Sequence, residues 1–411
     1  MRGLGQNMTI GQRVAWYRAR RGLTQEVLAG MVGRTTDWLG KIENGRANLE
    51  RLSVIKSLAD ALDVTVGDLL GEPSVMDWTP DASTRTVTLL REALMSYPAL
   101  ALPVAATTPP TVNELRGQVE EVWSAYQASR FAFATTQLPK VIAGAKAAVR
   151  NGDTSDSRRE AQRMLALAYH AASATLSKVG EADLAWIAAD RGLTCAEDSE
   201  DAMVLGSLLR SVTHALLANG RYDDAASMAS RAADRLDAES LPDNALRWSL
   251  VGSLHLVGAM AAARADDARE ARAFLARARQ AGQQLGHDGN HAWTAFGPTN
   301  VAVHDLSVAM ELGDLQAASA LAPRIDARAL PVERRVRHAL EVAKVYAMTG
   351  RDDEGLAVVL HAERDAPEQV KYHYLARELV MLWLRRTRLG EPSWMPLRSV
   401  SAWPDALQSL V

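Results

Sequence analysis

Apolar residues recur every three to four positions along almost the whole chain, most often as alanine or leucine, and β-branched clusters are rare. That spacing is the signature of amphipathic helices and predicts an all-α protein. Residues 9–71 read as a compact helical head, with turn signals at Gly22, Gly33, Gly45 and Gly71. Residues 72–111 hold six of the chain's fifteen prolines and read as a semi-extended linker. One helix interrupts the linker at about 83–97, with Val87, Leu90 and Leu94 along one stripe. Residues 112–389 form a helical repeat domain, and 390–411 a C-terminal tail.

In that repeat domain long helices end at turns such as "VGEAD", "NGRYDD", "ARADD", "LGDL" and "TGRDD", each followed by a shorter alanine-rich helix. Anchored on Gly180, Gly220, Arg264, Gly313 and Gly350, the turns are 40, 44, 49 and 37 residues apart. Helix–turn–helix solenoids repeat on this scale, because each hairpin has an apolar face that only the next hairpin can cover. About six helical pairs plus a final helix are expected. A closed helical bundle is the alternative.

The stretch "GLTQEVLAGMVGRTTDWLGKIENGR" (22–46) contains two short helices. Thr24 and Thr35 are placed as N-caps and Gly33 allows the turn between them. At 100° per residue, Leu39 and Ile42 share one face of the second helix and would pack on Val14, Leu28 and Val32. Asp37, Gly40, Lys41 and Asn44 fall on the other face. This face suits insertion into a DNA major groove; an ordinary solvated face has the same composition.

Charge separates the head from the rest. Residues 1–71 carry ten Lys/Arg against seven Asp/Glu, net +3, while the other 340 residues carry 36 against 42, net −6. A basic head on an acidic body points to a polyanion at one end. The lone Cys195 excludes an internal disulfide and a cysteine-based zinc site, and reads as a small buried residue. No apolar run approaches the ~20 residues of a membrane span. "MRGLGQNM" lacks the apolar core of a signal peptide, so a soluble, cytoplasmic protein without membrane contact is expected. Nucleophile-elbow, phosphate-loop, zinc-protease and dinucleotide motifs are absent, so no enzymatic activity, cofactor or metal is expected.

"LTQEVLAGMVGRTTDWLGKIENG" resembles the helix-turn-helix of the phage-repressor (XRE/Cro/C1) family, and "IGQRVAWYRARRG" and "LERLSVIKSLADALDVTVGDLL" resemble that family's first and last helices. The resemblance spans about 62 residues and implies a five-helix head that binds double-stranded DNA. It implies that Gln25 contacts phosphate and that Thr36, Asp37 and Lys41 reach base edges. Trp38, Asn44 and Arg46 would meet the backbone, and Arg34 and Thr35 complete the DNA-contacting set. Arg18 and Glu43 match a structural ion pair. Chemically, Lys41 can donate to guanine and Asp37 can accept from cytosine. The family also implies a homodimer on a pseudo-palindromic operator with half-sites ~34 Å apart.

Beyond the head, "WSAYQASRF", "AWTAFGPTNVAVHDLSVAMELGD" and "GRDDEGLAVVLHAERDAPEQV" resemble the actinobacterial XRE regulators with a tetratricopeptide-like domain. This implies transcriptional control with the repeats sensing a small molecule or short peptide. The alternative is a DNA-bound scaffold whose repeats grip a partner protein. Effector candidates cluster in "HAWTAFGPTN" (291–300): Trp293 and Phe296 as apolar walls, Thr299, Asn300 for an amide, and helix N–H groups after Gly297-Pro298 for an anion. The alternative is that Gly-Pro merely starts a helix and the aromatics fill the core. Arg247, Trp248 and His255 share a helix, as do Trp123, Tyr126 and Arg130, and either group could stack on a ligand or join two repeats. His170, His214, His255, His304, His338 and His373 recur one per long helix, either lining a groove, with His255 and His304 as effector candidates, or scattered through core and surface. "HDGNH" (287–291) lacks the further ligands a metal site needs.

Overall fold

Threonine hydroxyls set the helix starts of the head. Thr9 opens α1 (Ile10–Arg20) with a reciprocal box: its Oγ accepts from the Gln12 N–H at 3.2 Å, and the Gln12 side chain accepts from the Thr9 N–H at 2.9 Å. Thr24 accepts from the Val27 N–H to cap α2 (Gln25–Met31), and Thr35 from the Trp38 N–H to cap α3 (Thr36–Glu43), both at 3.2 Å. Gly33, at φ +64°, supplies the left-handed residue between them. With α4 (Leu52–Leu62) these helices enclose Val14, Leu28, Leu39, Leu58 and Leu62, and Val32 packs against that cluster. Gly11 lets α1 approach α3: a Cβ there would lie 2.0 Å from the Ile42 carbonyl oxygen.

The computed structural model describes residues 8–21, 23–47, 49, 51–62, 64, 69, 83–95, 109–238 and 244–388. The fifth head helix, most of the proline-rich linker and the 390–411 tail lie outside them. The linker helix is present as α5 (Ser83–Met95), with Val87, Leu90 and Leu94 all buried.

The hairpins then follow one another: α6 (Val112–Gln127) with α7 (Phe131–Asn151), α8 (Ser155–Lys178) with α9 (Ala182–Asp198), α10 (Ala202–Ala218) with α11 (Tyr222–Ala238), and α12 (Asn244–Arg264) with α13 (Ala268–Leu285). The first helices α6, α8, α10 and α12 pack on one another in succession; the second helices α7, α9 and α11 each pack on the first helices before and after them, and α13 packs on α12. This is a helical-hairpin solenoid, not a closed bundle. In chain order α14 (Pro298–Glu311), α15 (Leu315–Leu321), α16 (Val332–Met348) and α17 (Asp352–Asp365) follow. Two further described helices come next, the short α18 (Pro367–Tyr372) and α19 (Tyr374–Arg388), where one was expected. Gly180, Gly220, Gly313 and Gly350 are all left-handed at their turns; at the third turn Asp266, two residues beyond Arg264, takes that conformation at φ +66°.

Two compact units result, one of Met1–Pro73, Ala309–Arg324 and Val336–Val411, the other of Ser74–Val308 and Ile325–Arg335. The partition cuts across the 112–389 domain expected from sequence. Inside the first unit, the Arg51 Nε donates to the Glu311 carbonyl at 3.1 Å. In the second, α12 corrects the expectation about apolar runs, because by length and composition it could cross a membrane. Its apolar window is nevertheless 78% buried in the fold, since α11 and α13 cover it. Its glycines admit aromatic rings: a Cβ on Gly252 would lie 1.9 Å from Phe296 Cζ, and one on Gly258 2.6 Å from Phe274 Cε1. Cys195 is half-buried, and burial pushes its thiol up to about 12, so it is no thiolate nucleophile at neutral pH.

Candidate nucleic-acid interface and effector site

Helix α3 divides as its periodicity requires. Leu39 and Ile42 are buried, whereas Thr36, Asp37, Lys41 and Asn44 are exposed. Arg34 and Thr35 stand exposed ahead of its first turn, and Arg46 just beyond its end. The Lys41 Nζ lies 2.7 Å from Asp37 Oδ2, so these two side chains neutralise one another on the free surface. Asn44 turns back to donate to the Gly40 carbonyl at 2.8 Å. Trp38 is half-buried against the head's core, with the Arg34 guanidinium 5.7 Å from its ring centroid.

An ion pair holds α3 against α1. Arg18 Nε meets Glu43 Oε1 at 2.6 Å and its Nη2 meets Oε2 at 2.9 Å, while Nη1 donates to the Leu23 carbonyl at 2.8 Å. The Glu43 carboxylate is only 4% exposed. Gln25 departs from its expected role: its amide donates to Glu43 Oε2 at 2.7 Å, which makes it the third member of this network. A phosphate contact from Gln25 would have to give up or share that bond.

Residues 9–71 match the helix-turn-helix domain family. Over 69 residues the chain is 36% identical to the immunity repressor protein of Bacillus phage phi105. Residues 9–71 form a helix-turn-helix domain. The match covers 17% of this chain and 47% of the repressor, so the chain spans about half the length of that relative. The structure of Bacillus thuringiensis PlcR in complex with the peptide PapR7 and DNA aligns with 85% of this chain and 99% of its own, at 12% identity. The TM-score of that alignment is 0.34.

Outside the helix-turn-helix domain, the effector candidates separate into two groups. Some are internally satisfied. The Thr299 N–H donates to Asp288 Oδ1 at 3.0 Å and its hydroxyl to Oδ2 at 2.6 Å. The anion expected at the start of α14 is therefore the chain's own carboxylate, and Asp288 of "HDGNH" serves as a helix cap. Among the described residues no group of three or more His, Cys, Asp or Glu is placed to hold a metal ion. Phe296 is fully buried on Gly252, so it is a core residue and offers no wall to a ligand. Arg247 lies 3.4 Å from Asp237 and covers Trp248. His255 packs beside Phe274, and burial, then Arg277, pushes its imidazole down to about 4. Arg130 covers Phe133 instead of joining Trp123.

The other group converges. Trp293 stacks on Trp123 with centroids 5.0 Å apart and planes within 5°. Tyr126 meets the Trp123 ring edge-on at 5.4 Å, and His170 lies 4.6 Å from it. His170 Nε2 is in turn 3.3 Å from Arg210 Nη2, and His214 Nε2 is 3.3 Å from Arg210 Nη1. His304, whose Nδ1 lies 2.9 Å from the Asn300 carbonyl, adds to the field around His214. Asn300 is buried with its Oδ1 unpartnered.

Arg210 escaped the sequence reading. Its signal was present: "LLRSVTHALL" sets one arginine in an apolar helix, with no acid within four positions on either side. Burial, and Arg334 beside it, lowers Arg210 to about 10, which leaves it cationic at neutral pH. Burial and that cation hold His170 and His214 well below the ordinary histidine range, so both imidazoles are neutral.

Proposed function

We propose that this protein is a sequence-specific DNA-binding transcriptional regulator. It acts as a homodimer on a pseudo-palindromic operator, and its repeat domain senses a small molecule or short peptide. The observation that carries the DNA-binding reading is the division of α3. Its polar face is exposed over the full length of the helix, and the Arg18–Glu43 pair fixes its opposite side against α1. A rigid helix with a short-chained polar face, Gly40 included, meets the requirement for entering a major groove. Half-sites one helical turn apart, ~34 Å, suit two such heads related by two-fold symmetry.

The sensing reading is supported by the character of the solenoid's interior. Imidazole and indole N–H groups without acceptors, and an arginine with no carboxylate among the described residues, are costly to bury unless something binds them. A scaffold that gripped a partner on an open surface would have no use for them.

Selection of random duplexes by the full-length protein tests the proposal. A two-fold symmetric site should be enriched. Lys41→Ala should relax its base preference at a cost of about 1–3 kcal/mol, and Arg46→Ala should weaken all sequences and flatten the salt dependence. Operator binding untouched by both substitutions would remove α3 as the reading helix.

A further inference from the structure

We infer that the buried Arg210, held between His170 and His214 beside the Trp123–Trp293 stack, is the anion-binding residue of a site for a small organic carboxylate. The inference rests on the sensing reading above and names its ligand class.

Three observations carry it. First, Arg210 is 8% exposed, and among the described residues no carboxylate lies within ion-pair distance of it. Its two long hydrogen bonds go to neutral imidazoles, which supply acceptor atoms and no countercharge. A buried guanidinium normally has a carboxylate or phosphate in bidentate reach. Glu333, next to Arg334 in the chain, is paired with Lys178 and lies 3.8 Å from Arg334, and the charged side chains that act on His214 are the cations Arg210, Arg334 and Lys178.

Second, three of the unmet polar groups in the cluster are donors, facing the single acceptor Asn300 Oδ1. Its Nε–H has no acceptor, and neither does the Trp123 Nε1–H. His170 Nε2 faces a guanidinium that can only donate, so its proton sits on Nδ1, which is also buried without a partner. Three orphan donors and a cation ask for an acceptor-rich anion. The guanidinium itself is flanked by neutral rings and offers one bidentate pairing edge, which the two oxygens of a carboxylate fill.

Third, the cluster reaches the surface at its edge. His214, Trp293 and Arg334 each keep part of their surface in solvent. Trp293 also sits in a strained segment, since Ala292, Trp293 and Ala295 all adopt positive φ between 48° and 55°. Such strain persists where surrounding contacts enforce a particular placement, here that of an indole on Trp123. The indole gives the apolar part of the ligand a surface next to the charge.

The test titrates full-length protein, followed by tryptophan fluorescence and thermal melting. The probes are phenylacetate, indole-3-acetate, a tripeptide ending in phenylalanine, their amides, and phenyl phosphate. At least one acid should change the fluorescence and raise Tm, with its amide bound at least tenfold more weakly. A free aromatic acid and a peptide C-terminus are distinguished by which probe responds. Arg210→Met should abolish that binding while raising the Tm of the unliganded protein, because it removes an uncompensated buried charge. An acid and amide bound equally, a preference for phenyl phosphate, no binding by any probe, or a lower Tm for unliganded Arg210→Met would each overturn the inference. Operator affinity is measured alongside. An acid that binds through Arg210 without changing DNA affinity leaves the anion site standing and removes the sensing role. DNA binding gated by a cell-extract molecule in Arg210→Met removes the site and leaves sensing intact.

Discussion

Arg18 of α1 and Glu43 of α3 are joined by two parallel hydrogen bonds, 2.6 and 2.9 Å long, across the head. Gln25 closes the network from α2 at 2.7 Å, so one carboxylate organises all three helices. Glu43→Gln leaves Arg18 largely buried without its countercharge and should destabilise the head by about 3 kcal/mol. Hydrogen exchange of the α1–α3 amides in the full-length chain would detect this as faster local opening. The exposed Lys41–Asp37 pair provides the contrast. Asp37→Asn should change the same amides by about 0.5 kcal/mol or less, because water screens that pair.

Gly40 separates two explanations of one residue. A Cβ there would lie 3.7 Å from Gln25 Oε1, an ordinary contact, so the free head has room for alanine. Gly40→Ala should therefore stabilise α3 by about 1 kcal/mol through helix propensity. If the helix backbone closely approaches DNA, the same substitution should weaken operator binding at least tenfold. Higher stability with unchanged affinity would show that the glycine is only tolerated.

Gly252 of α12 is occupied in space by the Phe296 ring. Gly252→Ala has to displace that ring or the helix and should cost about 1–3 kcal/mol, as overpacked cores do. Thermal unfolding of the full chain measures it. Gly30, where a Cβ meets nothing within 4 Å, is the control, and its alanine variant should not lower Tm.

Acid should destabilise the repeats through their histidines. His255 is buried, with a folded-state value of about 4 against 6.5 for the free side chain. Between these values the unfolded chain binds a proton that the folded chain refuses. Stability is therefore full above about pH 6.5 and falls as the pH drops towards 4, by about 3 kcal/mol for this residue. His170, His214 and His338 are shifted in the same direction by burial. Urea titrations at pH 7 and pH 5 should show the loss, and His255→Gln should reduce its slope.

Thr24 and Thr35 were legible as caps, and Gly180, Gly220, Gly313 and Gly350 as turns, because each acts on backbone within four residues of itself. The division of α3 into a Leu39/Ile42 face and an Asp37/Lys41 face followed from helical period alone. So did the Val87, Leu90 and Leu94 stripe of α5. For the same reason the chain's all-α class and hairpin succession could be read without coordinates: they are sums of local choices.

Tertiary structure decided the partners. Gln25 turned inward because Glu43, eighteen positions away, had an acceptor oxygen to offer. Thr299 was claimed by Asp288, and Phe296 by the hollow at Gly252. Arg210 met His170, forty residues distant, because α8 and α10 stack as successive first helices of the solenoid. A sequence specifies which side of a helix is apolar. Which residues of two such sides meet depends on hairpin lengths and crossing angles, and these are set by packing over the whole repeat.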